Sequence, residues 1–479
     1  MSKPIIQLFK TINHYYLLDG IKCEVLPISE ESFWYLNGVI SGKYEFAQEN
    51  LPNDELRQLY LNGYLATESN IEKIQHAYTN YLPYFMERKL NKITLQVTQN
   101  CNFRCKYCIY SEDTNKKQRT HSQESMSLET AKEAIDFLLD HSIDSRDINI
   151  GFYGGEPLLA FDLIKNIVEY TEKVFKGKKL TYNMTSNGTL LDEEKIDFLI
   201  EHDFSLMISL DGPKEINDLN RVYPDGSGTY DTVIEKIEFI QGRYPEYADK
   251  LSISMVMDPS NDFDCINSVS LNGEDFKPLN LNATIIDTDY DYDNPLNYSE
   301  DYIWKFEYHL FLALMSYWGR YPVENISSIS RTVMLNALDN IYKFEESPVI
   351  KTYDVPSGPC IPGQMRLFSD INGNLFPCER VSETSDAMHI GNLKEGFDIE
   401  QIDYLLNFSR ITEEECKTCW AFRYCNQCAK KADDGTKTMS KELKLRNCKD
   451  TKATVYSEIM QYLIMKEIPE HYGSQVSSI

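Results

Sequence analysis

Short apolar strands alternate with helical segments from residue 91 to residue 257, and this order restricts the fold more than any other feature of the chain. The strands are predicted at residues 93–97, 148–153, 180–184, 204–210 and 251–257, with helices behind Ser127 and near residues 163–168 and 196–200. A β–α–β–α order predicts a mostly parallel sheet or barrel. Ligands bind at the carboxyl ends of the strands in such folds, so the residues that follow each strand are the functional candidates.

Charge and hydropathy exclude two classes of partner. The 48 basic and 74 acidic residues give a net charge of −26, which disfavours binding to nucleic acid. No apolar stretch reaches the about 18 residues of a membrane span, and residues 1–6 lack the apolar core of a signal peptide. We therefore expect a cytoplasmic protein with no membrane partner. The twelve cysteines are then expected to stay reduced, which favours metal or cluster binding and catalysis over disulfides.

Three cysteines follow the first strand directly. Cys101, Cys105 and Cys108 form a CxxxCxxC string, which random placement would produce in under about one in a hundred chains of this composition. Three thiolates ligate three irons of a 4Fe–4S cube and leave the fourth iron open to a chelating substrate. The alternative, a zinc knuckle, needs a fourth Cys or His nearby, and the sequence offers none. The string therefore predicts an iron–sulfur cluster with one open iron.

With further motifs after later strands, the chain resembles the radical S-adenosylmethionine (SAM) superfamily. Its signature has an aromatic residue before the last cysteine, and a GGEP turn, a TSNG segment and an SLDGP segment follow the second, third and fourth strands here. The resemblance implies that the GGEP backbone and acid hold the amino group of SAM, and that a Ser and an Arg contact its carboxylate and ribose. The SAM-binding residues implied in this way are Tyr107, Gly154, Gly155, Glu156, Ser186, Asn187, Ser209, Asp211 and Arg221.

The resemblance also implies reductive chemistry. SAM would chelate the open iron, an electron from flavodoxin or ferredoxin would enter the cluster, and the sulfonium bond would break to methionine and a 5′-deoxyadenosyl radical. The protein's part is to position the reactants and exclude water.

The last quarter of the chain resembles the SPASM extension of peptide-modifying radical SAM enzymes. Its cysteines are Cys360, Cys378, Cys416, Cys419, Cys425, Cys428 and Cys448. The resemblance implies two auxiliary 4Fe–4S clusters, one held by Cys416, Cys419, Cys425 and Cys448. Cys360, Cys378 and Cys428 would then supply three ligands to the other and leave an iron for a substrate thiolate. Cys428 departs from the family spacing, with two residues after Cys425 where the family has three.

One carboxylate beside these cysteines is a candidate proton acceptor. Glu379 directly follows Cys378, where sulfatase-maturing members of the superfamily carry an Asp that acts as a base. The alternative role is a surface ion pair. A second acidic stretch, from Asp287 to Asp293, lacks the Gly and Glu of a calcium loop and is interpreted as a solvated acidic edge.

Three domains are expected, at residues 1–85, 90–345 and 346–479. Residues 14–18 and 22–26 are predicted strands joined by Asp19 and Gly20, and helices follow Ser29 and precede Gly63. This winged-helix-like α+β module resembles the RiPP recognition element, which binds a leader peptide as an added strand; a general docking or dimerisation module is the alternative. The predicted fold is α/β, a partial (β/α)6 radical SAM barrel between this module and a Cys-rich SPASM domain.

The order of domains is similar to that of thioether-forming maturases of ribosomal peptides, the sactipeptide and ranthipeptide (freyrasin-like) enzymes. The resemblance implies that residues 1–85 bind the leader of a Cys-rich precursor peptide, that the deoxyadenosyl radical removes hydrogen from an acceptor carbon, and that a peptide cysteine forms the thioether. C–C crosslinking, epimerisation and formylglycine formation are alternatives within the superfamily. A zinc-stapled peptide adaptor without catalysis is the alternative outside it.

Overall fold

The computed structural model describes residues 3–110, 118–271, 280–290, 296–345, 349–356 and 359–472. No helix in these ranges is long and apolar enough to cross a membrane.

The first seventy residues form a small antiparallel sheet with two helices. The sheet has the order β1–β2–β3, with β1 at Ile6–Lys10, β2 at Tyr15–Asp19 and β3 at Glu24–Ile28, followed by α1 at Glu30–Ser41 and α2 at Asp54–Leu61. Ser29 caps α1 as predicted, because its side chain accepts a hydrogen bond from the Ser32 amide. The β2–β3 connection is longer than the predicted two-residue turn, and the Asp19 carboxylate stabilises it by accepting from the Ile21 and Lys22 amides. Strand β1 was not predicted.

A short strand and a helix lead from this module to the central sheet. Strand β4 is Lys73–Ile74, and α3 is Leu82–Arg88. Pro83 lies in the first turn of α3, where proline is favourable because the amide that it lacks would have no partner within the helix.

Six parallel strands in chain order form one side of a ten-stranded sheet, with the last of the six at its edge. They are β5 (Lys92–Thr98), β6 (Asp147–Gly154), β7 (Lys179–Ser186), β8 (Phe204–Ser209), β9 (Ser252–Met257) and β10 (Asn280–Ile285). The helices among and after them are α4 (Leu128–His141), α5 (Phe161–Val174), α6 (Glu193–Glu201), α7 (Lys214–Asn220), α8 (Tyr230–Arg243), α9 (Pro245–Ala248), α10 (Phe263–Leu271), α11 (Glu300–Tyr317) and α12 (Ser328–Glu345). The predicted mixed α/β fold with a parallel sheet is confirmed.

The last part of the chain extends the same sheet. Strand β11 (Tyr353–Asp354) pairs with β4, while β12 (Leu367–Ser369) pairs in parallel with β5 and leads on to β13 (Asn374–Phe376), β14 (Gly391–Asn392) and β15 (Gly396–Phe397). The helices are α13 (Ile399–Leu406), α14 (Glu413–Lys417) and α15 (Lys441–Tyr472). Because β12 lies against β5, the residues after Cys378 reach the carboxyl end of the first parallel strand.

The N-terminal sheet packs on the C-terminal part of the chain. Phe9 stacks on Tyr456 of α15 with ring centroids 4.8 Å apart, and Phe9 belongs to one apolar cluster with Leu18 and Phe422. The Tyr424 hydroxyl donates a hydrogen bond of 3.1 Å to the Cys23 carbonyl. Strands β1 and β2 and the β2–β3 connection therefore contact the loop between Cys419 and Cys425.

Candidate active site

The loop that follows β5 carries the first three cysteines on a fixed backbone. The Arg104 and Lys106 amides donate to the Val222 and Asn220 carbonyls at 2.7 and 3.0 Å, which ties the loop to the end of α7. The Phe103 amide donates to Cys101 Sγ, and the Tyr110 amide to Cys108 Sγ, both at 3.3 Å. These amides stabilise thiolates, so the backbone is already arranged for negatively charged sulfur.

Cys101, Cys105 and Cys108 interact with one another electrostatically, so the structure brings the three predicted ligands together. Removal from water raises the pKa of the Cys105 thiol to about 12 and that of the Cys101 thiol still further. Ligation by a metal requires the thiolate form, so cluster binding would release protons from these sulfurs.

Within the described ranges, no group of three or more His, Cys, Asp or Glu side chains is placed to hold one metal ion. Ligands of one tetrahedral zinc must bring their sulfurs within about 3.8 Å of each other, because each Zn–S bond is about 2.3 Å. A cube with an iron for each thiolate spreads its ligands further apart.

The two-glycine turn after β6 packs directly on the cysteine loop. A Cβ on Gly155 would lie 2.2 Å from the Asn100 carbonyl oxygen and 3.0 Å from Cys101 Cβ. A Cβ on Gly154, whose φ is +150°, would lie 2.2 Å from the Thr98 carbonyl oxygen. Only glycine fits this close approach, which places the backbone of the turn beside the cluster loop. This cradle and the three thiols fit the 4Fe–4S cluster and SAM of the radical SAM resemblance.

Glu156 points into the protein and holds the end of β7. Its carboxylate accepts hydrogen bonds from the Ser186 hydroxyl at 2.8 Å, the Asn187 amide at 2.7 Å and the Leu158 amide at 3.0 Å. Burial raises the pKa of this carboxyl. The Asn187 side chain in turn donates to Asn102 Oδ1 at 2.8 Å, so Glu156 and Asn187 fix the cysteine loop against the neighbouring strand.

A buried aromatic and ion-pair group lies on the other side of the loop. The Tyr107 hydroxyl donates to Asp211 at 2.5 Å, and Arg221 Nε lies 3.0 Å from the same carboxylate. The Arg221 guanidinium is 5.7 Å from the Tyr107 ring centroid and acts electrostatically on Cys105. Ser209, the last residue of β8, is buried beside this group. All four predicted side chains therefore lie at the carboxyl ends of the strands.

A cavity of about 320 Å³ opens beside this group. It lies between the cysteine loop, the end of α7 and the segments that follow β9 and β10, and its lining includes Lys106, Tyr107, Asn220, Asp258, Asp287 and Tyr290. Its size is at the lower end of the range of small-ligand pockets.

The acidic segment after β10 is not a solvated edge in its described part. Asp287 and Asp289 pair with the buried Lys430, and Asp289 also accepts from Lys431 at 2.5 Å. Tyr290 donates to Asp433 at 2.8 Å. The first residues of the segment thus join the parallel sheet to the region around Cys428; Asp291 and Asp293 lie outside the described residues.

The C-terminal cysteines form two separate groups. Cys360 interacts electrostatically with Cys378 and Cys428, and Cys360 and Cys428 are exposed. The second group is made of Cys416, Cys419, Cys425 and Cys448, which the same kind of interaction links to one another. Desolvation raises the pKa of the Cys425 thiol to about 11.

The two carboxylates near Cys378 differ in their surroundings. Glu379 forms an ion pair with the half-exposed Arg366. Glu383, which the sequence analysis missed, is buried, lies 3.7 Å from Arg119 and accepts hydrogen bonds from the Gln96 side chain at 2.7 Å and the Thr120 amide at 2.6 Å. Burial raises the pKa of Glu383. No motif marks this residue; only the pairing of β12 with β5 brings it to the site.

Comparison with known proteins agrees with this geometry. Residues 95–271 match the family model of the Radical SAM superfamily. Over 376 residues, which cover 74% of this chain and 92% of the other, the chain is 26% identical to a cysteine-type anaerobic sulfatase-maturating enzyme of Clostridium perfringens. It is 39% identical over 145 residues to the uncharacterized protein MJ0907 of Methanocaldococcus jannaschii, where it spans 46% of that protein.

A solved structure shares the fold. Native anSMEcpe with bound AdoMet and Cp18Cys peptide superposes with a TM-score of 0.56 at 22% identity, over 79% of this chain and 99% of the other. Residues 95–271 are thus similar to the Radical SAM superfamily, and the chain has sulfatase-maturase-like relatives.

Proposed function

We propose that this radical SAM protein is an enzyme that installs thioether crosslinks in a ribosomally made, Cys-rich precursor peptide. The observation that carries the radical SAM part is the contact between the Cys101 loop and the Gly154–Gly155 turn. The observation that favours thioether chemistry is the separation of the C-terminal cysteines into a partly buried group of four and a group of three in which two cysteines are exposed.

In this proposal Cys101, Cys105 and Cys108 hold a 4Fe–4S cluster, and the Gly155 backbone lies against bound SAM. With both bound, the site supplies a 5′-deoxyadenosyl radical for hydrogen abstraction. Arg221 contributes a fixed positive charge for the SAM carboxylate, since Asp211 holds its guanidinium in place. Glu156 orients Ser186 and Asn187 at the edge of the same site.

A peptide substrate is supported by the relative that this chain matches over 92% of its length, because that protein is named for maturing a sulfatase. Residues 1–85 would bind the leader, with β3 as the edge strand to which it adds. The leader would thus be held close to the C-terminal cysteines, because Val25 of β3 packs against the same apolar cluster as Cys416 and Cys419.

Cys360, Cys378 and Cys428 would ligate three irons of an auxiliary cluster and leave the fourth for a substrate thiolate. The exposure of Cys360 and Cys428 supports access for a peptide. In the reaction, the acceptor carbon loses a hydrogen atom and the thiol loses a proton. A C–S bond then forms and one electron leaves the product, so each crosslink removes two hydrogens from the peptide. Glu379 or Glu383 would take the proton.

The test is anaerobic incubation of the reconstituted enzyme with SAM, dithionite and a Cys-rich precursor. The product should lose one hydrogen pair for each crosslink and the same number of alkylatable thiols. Cys105→Ala should abolish both SAM cleavage and crosslinking, whereas Cys428→Ala should keep SAM cleavage and lose crosslinking. A product with unchanged mass and all thiols free would refute the proposal, and a Cys428→Ala enzyme that crosslinks normally would refute the role of the three-cysteine group.

The length of the match to the sulfatase-maturating enzyme favours formylglycine formation as a second candidate. A Cys-containing sulfatase peptide distinguishes the two functions, because formylglycine formation gives an aldehyde that reacts with a hydrazide probe and thioether formation does not.

A further inference from the structure

Lys444 is a buried cation beside the group of four cysteines. It lies on α15 and is only 2% exposed. Its Nζ donates to the Thr412 hydroxyl at 2.5 Å, lies 3.5 Å from Cys416 Sγ, and is 5.0 Å from the centroid of the Phe408 ring. Among the residues that the structure describes, no carboxylate comes within ion-pair distance of it, since nearby Glu415 pairs with Lys441 at 2.7 Å.

An ammonium removed from water needs a compensating anion. The hydroxyl of Thr412 and the ring of Phe408 compensate only in part, because neither carries a full negative charge. The Glu415 carboxylate acts on Lys444 electrostatically but forms its ion pair with Lys441. The group in contact with Nζ that can become anionic is the Cys416 thiol, and Cys425 also interacts with Lys444 electrostatically. Burial of Lys444 is therefore explained when these sulfurs are thiolates bound to a metal cluster.

The cations near the other cysteine group are compensated differently. Lys430, two residues after Cys428, pairs with Asp287 and Asp289, and Lys431 pairs with Asp289. The positive charge beside Cys428 is thus neutralised by carboxylates, while the positive charge beside Cys416 is left for the sulfurs. The two groups of cysteines lie in different electrostatic environments.

We propose that Lys444 raises the reduction potential of a cluster held by Cys416, Cys419, Cys425 and Cys448, and so makes this cluster the acceptor of the electron that leaves the crosslinked product. The inference rests on the proposed function. A four-thiolate 4Fe–4S cluster becomes more negative when reduced, and a buried cation stabilises the more negative state because little solvent screens it. With SAM and the cluster bound, the acceptor carbon would give its hydrogen atom to the deoxyadenosyl radical and the C–S bond would form with loss of the thiol proton. The remaining electron would pass to the oxidised cluster held by the four cysteines. Lys444 acts as a positioning residue that sets the direction of this transfer.

The test is a redox titration of Lys444→Met, which keeps the length of the side chain and removes its charge. The matched control is Lys449→Met, because Lys449 is exposed on the same helix and adjoins Cys448 in sequence. Both changes are made in full-length protein that also carries Cys101→Ala, Cys105→Ala and Cys108→Ala, so that EPR reports only the auxiliary clusters. In Lys444→Met one of the two reduction waves should move to a potential at least about 59 mV more negative. For a one-electron couple, this shift corresponds to a tenfold change in the ratio of oxidised to reduced cluster. Lys449→Met should leave both waves in place.

Unchanged waves in Lys444→Met, at full iron content, would overturn the inference while leaving peptide crosslinking intact as a function. If Lys444→Met fails to retain iron, Lys444→Arg decides: it should restore both the iron and the potential, and a shifted wave in Lys444→Arg would show that charge is not the cause. A triple-alanine protein that binds no iron would also overturn the inference, because the cluster proposed for the group of four cysteines would then be absent. SAM cleavage by Lys444→Met in the otherwise unaltered enzyme should stay at the wild-type rate, which separates this inference from the proposal for the Cys101 loop.

Discussion

Substitution of Gly155 by alanine tests the close contact between the two-glycine turn and the cluster loop. The added methyl group would lie 2.2 Å from the Asn100 carbonyl oxygen, whereas carbon and carbonyl oxygen in contact are separated by about 3.3 Å. The loop or the turn must therefore move by about 1 Å. The φ of Gly155 does not lie in the left-handed region, so the change measures steric displacement without added backbone strain.

We expect Gly155→Ala to reduce SAM cleavage about 100-fold, since a displacement of about 1 Å at a reacting centre has that effect. The accompanying loss of stability should be about 1–3 kcal/mol, as for other overpacked sites. The assay is formation of 5′-deoxyadenosine per cluster iron in anaerobic, reconstituted protein.

Gly242→Ala is the control, because Gly242 lies in α8 and a Cβ there has no atom within 4 Å. It should keep the wild-type rate and gain about 0.4–1 kcal/mol of stability. If Gly155→Ala cleaves SAM at the wild-type rate with an unchanged cluster spectrum, the cradle has no role in holding the cofactor.

Three further predictions concern buried side chains. Asp211→Asn leaves Arg221 as an unpaired buried charge and should lower the free energy of unfolding by about 3–5 kcal/mol in a denaturant titration. An unchanged midpoint would contradict the claim that the two side chains form a buried ion pair. The pKa of Glu383 is raised in the folded protein above its ordinary value of 4.5, so the folded state holds this proton more tightly than the unfolded state does. The wild type should therefore lose stability relative to Glu383→Gln as the pH rises from 4.5 through the folded pKa. Thermal unfolding measured across that range checks this, and parallel curves would contradict it. Phe9→Ala should lower the free energy of unfolding by about 3–5 kcal/mol and increase hydrogen exchange in residues 6–28 more than elsewhere. A uniform increase in exchange would show that the N-terminal sheet does not depend on its contact with α15.

The parallel sheet and the cysteine loop could be predicted because their signals are local. Residues 93–97 alternate as a strand and form β5, and Ser127 caps α4 as expected. The motif residues at the ends of β6, β7 and β8 lie together because parallel strands share one carboxyl edge.

The parts that sequence reasoning missed depend on contacts between distant segments. Glu383 reaches Gln96 only because β12 adds to the sheet beside β5. Asp287 looks like part of a solvated acidic run until Lys430 is brought to it from 143 residues away. Lys444 lies in a charged stretch of the sequence, and nothing local indicates that its side chain is buried.

The account depends most on the Cys101 loop, and one measurement tests it directly: anaerobically reconstituted protein is incubated with SAM and dithionite, and iron, sulfide and 5′-deoxyadenosine are counted together. The account predicts an iron–sulfur protein that forms 5′-deoxyadenosine and methionine in equal amounts, and a Cys105→Ala variant that retains the auxiliary iron but forms neither product. Protein that holds no iron and sulfide after reconstitution, or a Cys105→Ala variant that cleaves SAM as fast as the wild type, would contradict it.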